Sequence, residues 1–201
     1  AHSGGYGYVW FRDEAAVSQH LLAAGEHLDI ETTDSLVDSA RFLCEHQPPD
    51  GTWPHRVWAT DGSLAPGWAN ATVERGEAST EYQADQTASA TAFLATLLEA
   101  REAELNQQLT DEIRNTVARA VDSLTADITA NNLPAPCQNV WEDDVGQFAH
   151  TAGTYVDAFA AVARAPVSDS LRQRSLEGAT QVMNGLQRLW NEDRGVYVTQ
   201  L

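Results

Sequence analysis

The feature that most restricts this chain is the spacing of its apolar residues, which recur every three to four positions almost from end to end. Ile113, Val117, Val121, Leu124 and Ile128 keep that step after Thr110, a suitable helix N-cap. Phe148, Ala152, Tyr155, Val156, Phe159 and Val162 form a second stripe, which stops before Pro166. Leu171, Ala179, Val182, Met183, Leu186 and Trp190 make a third, opened by Ser168. A fourth, Leu36, Val37, Ala40, Leu43 and Cys44, starts after Thr33 and must end before Pro48-Pro49. Residues 13–27 and 86–105, rich in Ala and Leu, read as two more helices. No segment shows the period-two alternation of a strand, so six helices in 201 residues predict an all-α fold.

The connections alternate in character. Those around 28–33, 106–109 and 165–168 are short, whereas 47–82 and 131–145 are long and rich in Gly, Pro and Trp. Helices paired as hairpins would place the short turns at one end and the long loops at the other. That pattern describes an α/α toroid with a site built from loops on one face. No internal repeat is strong enough to identify it alone.

Charge narrows the partners. The chain has 29 acidic residues, 12 arginines and no lysine, for a net charge of −17. Such a surface repels nucleic acid and anionic membranes, and no apolar run approaches the ~20 residues of a membrane span. An apolar share of 43% is ample for a core. Acid excess with lysine loss fits solubility in molar salt, where the Debye length is about 3 Å. A halophilic, archaeal source is the expectation. Cys44 and Cys137 show no metal-ligand spacing, and both a pair of buried thiols and a disulfide are open. The start Ala-His-Ser-Gly-Gly carries neither Met nor a signal peptide, so a longer gene product is expected. A cytoplasmic location is the default, with secretion open. Asn70-Ala71-Thr72 is a glycosylation sequon of a kind that arises often by chance.

Three segments set carboxylates beside aromatic rings: Tyr6-Gly7-Tyr8-Val9-Trp10-Phe11-Arg12-Asp13, then Gln47 to Trp53 with Glu81 to Thr87, then Val140-Trp141-Glu142-Asp143-Asp144. Aromatic faces stack on sugar rings, while carboxylates and arginine hydrogen-bond hydroxyls. A Trp-Glu pair can raise a carboxyl pKa by desolvation, as a general acid requires, and Asp143 and Asp144 would push Glu142 the same way. Plainer readings stand beside these. Arg12-Asp13 serves equally as a capping ion pair, Trp10, Trp53 and Trp141 as core, Asp50-Gly51 as a common turn, and residues 142–144 as one more solvated acidic stretch. His20, His27, His46, His55 and His150 fit no triad or metal pattern and receive no role. There is no Gly-rich phosphate loop, zinc spacing or serine-hydrolase elbow, so neither cofactor nor metal is expected.

Tyr-x-Tyr-x-Trp-x-Arg-Asp at 6–13, Gln-x-x-x-Gly-x-Trp at 47–53, Glu-Tyr-Gln-x-Asp at 81–85 and Trp-Glu-Asp at 141–143 occur in that order. Together they resemble the N-terminal half of the catalytic domain of glycoside hydrolase family 15, which comprises glucoamylases, glucodextranases and some trehalases. The resemblance runs from residue 6 to the end. It implies part of an (α/α)6 barrel over 1–201, with about six of twelve helices. It also implies hydrolysis of α-glucosidic bonds from the non-reducing end of an α-glucan or maltooligosaccharide, with inversion. By resemblance, Glu142 matches the general acid, and Arg12 and Asp13 match the pair holding hydroxyls of the terminal glucose. Tyr6 and Trp10 match the aromatic lining, with Trp141 beside the acid, and Gln83 and Asp85 lie near the site. Asp143 stands where the family usually has a second glutamate, a shorter acceptor for the +1 sugar. Ser79 replaces a tryptophan of fungal members.

An inverting glycosidase needs a second carboxylate about 6.5–9.5 Å from the acid, to activate water. In family 15 it comes from a late segment of the barrel, and nothing in 1–201 matches it. The resemblance therefore implies that the remaining C-terminal half of the same polypeptide supplies the base, and that residues 1–201 alone are inactive. A family 15 trehalase or glucodextranase would share these residues. A non-catalytic carbohydrate-sensing or regulatory barrel would lack the downstream glutamate.

Overall fold

The computed structural model describes residues 7–28, 30–65 and 82–200. Tyr6, the sequon at 70–72, Ser79 and Glu81 lie outside the described residues. Six helices dominate the described residues: α1 (Phe11–Leu28), α2 (Thr33–Glu45), α3 (Ala84–Arg101), α4 (Gln107–Ala126), α5 (Ala149–Arg164) and α6 (Asp169–Leu186). The chain is all-α, as its periodicity predicts.

The helices pack in two layers. α3 lies against α1 on one side, α5 on the other and its hairpin partner α4 behind. Ala88, Ala90, Ala92 and Ala95 let those neighbours approach closely, and Phe93, Leu94, Leu97 and Leu98 fill the space between them. α3 is thus buried nearly all round, while α4 buries only one stripe, from Leu109 through Ile113, Val117 and Val121 to Leu124. α1, α3 and α5 form the inner layer of an incomplete α/α toroid, and α2, α4 and α6 the outer one. The short turns 29–32, 102–106 and 165–168 lie at one end. At the other end, residues 82–83 and the long connection 127–148 lead into the N-termini of α3 and α5.

Several local expectations change. α4 starts four residues earlier than the stripe implies, because Asn106 and not Thr110 is its N-cap. The Asn106 side chain accepts from the Leu109 N–H at 2.9 Å, and the Thr110 hydroxyl donates back to the Asn106 carbonyl from inside the helix. Ser168 does cap α6, accepting from Leu171 N–H. α3 ends at Arg101, short of 105, in a 3-10 turn over Glu102–Glu104. Met183 and Trp190 leave the third stripe and are exposed. α6 stops at Leu186, and a 3-10 turn over Gln187–Leu189 carries Trp190 into a ribbon, where its edge meets Tyr197.

Three small antiparallel ribbons among the described residues were not expected. β1 (Tyr8–Trp10) pairs with β2 (Arg56–Trp58), β3 (Cys137–Gln138) with β4 (Val145–Gly146), and β5 (Trp190–Asn191) with β6 (Val196–Tyr197). Strands of two or three residues are too short to display alternation.

Trp53 is core. Its indole N–H donates to the Leu43 carbonyl at 3.0 Å, and its backbone N–H to the Thr87 hydroxyl at 3.0 Å, tying the first long loop to α2 and α3. Cys44 and Cys137 are both free thiols, pushed up by burial to about 11 and about 12. No helix among the described residues is long and apolar enough to cross a membrane.

Candidate active site

The β1–β2 ribbon starts the site. Its register sets Trp10 opposite Arg56 and Tyr8 opposite Trp58. The Arg56 guanidinium lies over both the Tyr8 and Trp10 rings, 5.1 and 5.0 Å from their centroids, within cation–π range. β1 passes directly into α1, so Arg12 and Asp13 occupy the first turn of an inner helix. Carboxylates are favoured there by the helix dipole.

Arg12 is held from below by the start of α3. Its Nη1 donates to Gln83 Oε1 at 2.6 Å and to Asp85 Oδ2 at 3.0 Å, and its backbone N–H donates to Gln86 Oε1 at 2.5 Å. Gln83, Asp85 and Gln86 are buried. The Gln83 amide donates in turn to the Asn139 carbonyl at 2.8 Å and to Gln138 Oε1 at 3.3 Å. This network links α1, α3 and the second long loop. It fixes one edge of the guanidinium and turns Nη2 toward Asp13, whose Oδ2 is 3.7 Å away. Asp85 Oδ1 has no hydrogen bond among the described residues, and His150, in the first turn of α5, brings Nδ1 to 3.9 Å from Oδ2.

Glu142 sits in the loop between β3 and β4. Its N–H donates to the Asn139 carbonyl at 3.0 Å, Asn139 N–H donates to the Asp144 carbonyl at 2.9 Å, and Gln138 Nε2 donates to the Glu142 carbonyl at 3.4 Å. The turn holds Glu142 at φ +63°, a left-handed conformation that costs a non-glycine residue about 1–2 kcal/mol. Backbone strain of this kind concentrates where a side chain must be aimed. Glu142 faces a cavity of about 450 Å³, lined also by Tyr8, Trp10, Arg12, Asp13 and Val140.

Burial raises the Glu142 carboxyl pKa above the usual carboxylate range, while the positive charges of Arg56 and Arg12 pull it down. The cause differs from the one the motif implies. Trp141 is 80% exposed and shields little. Asp143 Oδ1 accepts from Asn139 Nδ2 at 2.7 Å, and Asp144 accepts from Val145 N–H and Gln200 Nε2, so both are engaged elsewhere. His55 lies against the carboxyl, with Nε2 3.0 Å from Glu142 Oε1.

Trp10, Arg12, Asp13 and Glu142 therefore meet at one cavity. Gln83 and Asp85 reach it only through Arg12, while Trp141 and Asp143 stand outside its lining. Tyr6 lies outside the described residues. Sequence reasoning passed over His55, Arg56 and Gln86. The signal available was the ribbon, since pairing Tyr8-Val9-Trp10 with Arg56-Val57-Trp58 brings His55 beside Trp10.

No family model and no curated protein matches this chain. Solved structures do match it. The glucoamylase from Saccharomycopsis fibuligera covers 100% of the chain with a TM-score of 0.69 at 14% identity, and the chain spans 44% of that protein. A possible member of the GH105 family from Salmonella enterica serovar Paratyphi A covers 96%, with a TM-score of 0.65 at 14% identity, and the chain spans 47% of it. The chain thus corresponds to less than half the length of the structures it matches, and what it shares with them is the α/α toroid fold.

Proposed function

We propose that this chain carries the acid side of an inverting α-glucosidase site acting at the non-reducing ends of α-glucans or maltooligosaccharides. Glu142 protonates the leaving glycosidic oxygen. Arg12 and Asp13 bind hydroxyls of the terminal glucose, and Trp10 lines its subsite. Gln83 and Asp85 hold the Arg12 guanidinium in place, so that little reorganisation is needed when sugar binds. Trp141, exposed beside Glu142, offers a face to the leaving-group sugar, and Asp143 an acceptor at the same rim.

The observation that carries this reading is a carboxyl of raised pKa sharing one open cavity with an arginine already fixed from behind. A general acid must still hold its proton near the working pH.

The general base and the rest of the barrel belong, on this reading, to further helices of the same polypeptide. Apolar groups exposed at both edges support it: Val17, Leu21 and Leu28 on α1, and Leu176, Met183 and Trp190 on and after α6. The barrel-length protein should release β-glucose from maltotetraose, read by NMR before mutarotation. Glu142→Gln should lower kcat by about 10³-fold or more, with circular dichroism unchanged. Release of α-glucose, or near-normal turnover by the variant, would reject the assignment.

A further inference from the structure

Gln83 reaches further into the site than its contact with Arg12. It occupies the N-cap position of α3, where Asn, Asp, Ser and Thr are favoured because a short side chain reaches the free N–H groups of the first turn. The Gln83 side chain makes no such cap. It runs instead through the interior, 1% exposed, between α1 and the second long loop. Its partners fix which end of the amide points where, since Arg12 Nη1 can only donate and the Asn139 carbonyl can only accept. Gln86 Nε2 adds a second donor to the Oε1 end at 3.2 Å.

The Nε2 end leads to Glu142 by two routes. It donates at 2.8 Å to the Asn139 carbonyl, which also accepts the Glu142 backbone N–H at 3.0 Å. It donates at 3.3 Å to Gln138 Oε1, and Gln138 Nε2 in turn donates to the Glu142 carbonyl at 3.4 Å. Both polar groups of the Glu142 backbone are thus held by partners that Gln83 itself holds. A glutamate at φ +63° needs such outside support, because its own backbone preference lies elsewhere.

We propose that Gln83 is a positioning residue for Glu142 as well as for Arg12: one buried amide holds the guanidinium by its oxygen and the turn of the acid by its nitrogen, and so sets the separation between them. The consequence for catalysis rests on the glycosidase reading of Glu142, but the hydrogen bonds do not. A sugar held by Arg12 would then meet a carboxyl already placed in register with it, and rate is sensitive to misplacement of about 1 Å. The two ends of the amide serve different steps. Oε1 supports binding, whereas Nε2 supports proton transfer.

An isosteric change separates them. Gln83→Glu keeps an oxygen for Arg12, whose charge holds the new carboxyl ionised, and turns a second oxygen toward the Asn139 carbonyl in place of a donor. Amide hydrogen exchange on this chain, followed by NMR, reads the result. The Glu142 N–H should exchange about 10-fold faster or more, as loss of its support by two hydrogen bonds implies, while Val117 and Val121 on α4 keep their rates. An unchanged Glu142 rate would overturn the proposal, and so would acceleration of all three amides alike, which marks a role in stability alone. Should Gln83→Glu not fold, the unmodified chain decides. Both Nε2 hydrogens of Gln83 should exchange at least about 10-fold more slowly than those of the exposed Gln107, and equal rates would overturn the proposal.

These readouts need no turnover. A protein whose turn loosens as expected but which cleaves no glucoside keeps the positioning role and loses the glycosidase reading. In the completed barrel that the proposed function requires, Gln83→Glu should lower kcat about 10-fold while KM stays within about twofold, because Arg12 keeps its acceptor.

Discussion

At the scale of single residues, Glu142 joins two kinds of strain. Its backbone sits at φ +63° and its carboxyl is partly withdrawn from water, with a pKa raised mainly by that burial. A carboxyl whose folded pKa lies above its unfolded one binds more protons in the native state. Its contribution to stability is therefore full below the unfolded value near 4.5 and lost as pH rises through the folded value. Glu142→Gln should raise the melting temperature at pH 7 and leave it nearly unchanged at pH 4, as scanning calorimetry would show. A lower melting temperature at pH 7 would mean that Arg56 and Arg12 outweigh desolvation. Such gain in stability on losing a functional group is the usual sign of a site held against its own preference. The two thiols, Cys137 buried and Cys44 half-buried, are also raised in pKa by burial but lie outside the site.

At the scale of elements, the described part of the first long loop is as tightly specified as the helices. Gly51 has φ +84°, and a Cβ there would come within 2.4 Å of the Arg119 carbonyl oxygen on α4. Gly195 has φ +63° with open space around it. Gly195→Ala should cost about 1 kcal/mol, from backbone strain alone, in urea unfolding. Gly51→Ala should cost at least about 2–4 kcal/mol, since crowding of a packed backbone adds to the strain. Equal costs would show that the first loop is not pressed onto α4 as described.

The helices themselves were legible in the residues, because stripes such as Ile113 to Leu124 bury one face and repeat it. Their ends were less so. Asn106 caps α4 ahead of Gln107 and Gln108, polar residues that carry no stripe, and Met183 and Trp190 fit a periodicity that α6 does not sustain. The candidate site was legible only where its residues sit side by side in sequence, as Arg12-Asp13 and Trp141-Glu142-Asp143 do. His55 and Gln86 meet their partners through a three-residue ribbon and a helix N-terminus, long-range contacts that leave no local pattern.

At the scale of the whole molecule, charge and open edges set the behaviour. With 29 acidic groups against 12 arginines, the compact state repels itself in dilute buffer. Molar salt shortens the Debye length to about 3 Å and removes that penalty while strengthening burial. The melting temperature should therefore climb between 0.1 M and 2 M NaCl, in line with the proposed halophilic habit. A fall over that range would contradict it. The two-layer arc places the N-termini of α1, α3 and α5 at one end, and the proposed substrate cavity lies there. Completion of the toroid by further helices would cover the exposed edges of α1 and α6.

General acid catalysis by Glu142 is tested most directly by changing the leaving group. Fluoride departs without a proton, whereas the sugar of maltose does not. In the completed barrel that the proposed function requires, Glu142→Gln should lose about 10³-fold or more on maltose and retain most of its rate on α-glucosyl fluoride. Equal losses on both substrates would contradict Glu142 as the acid.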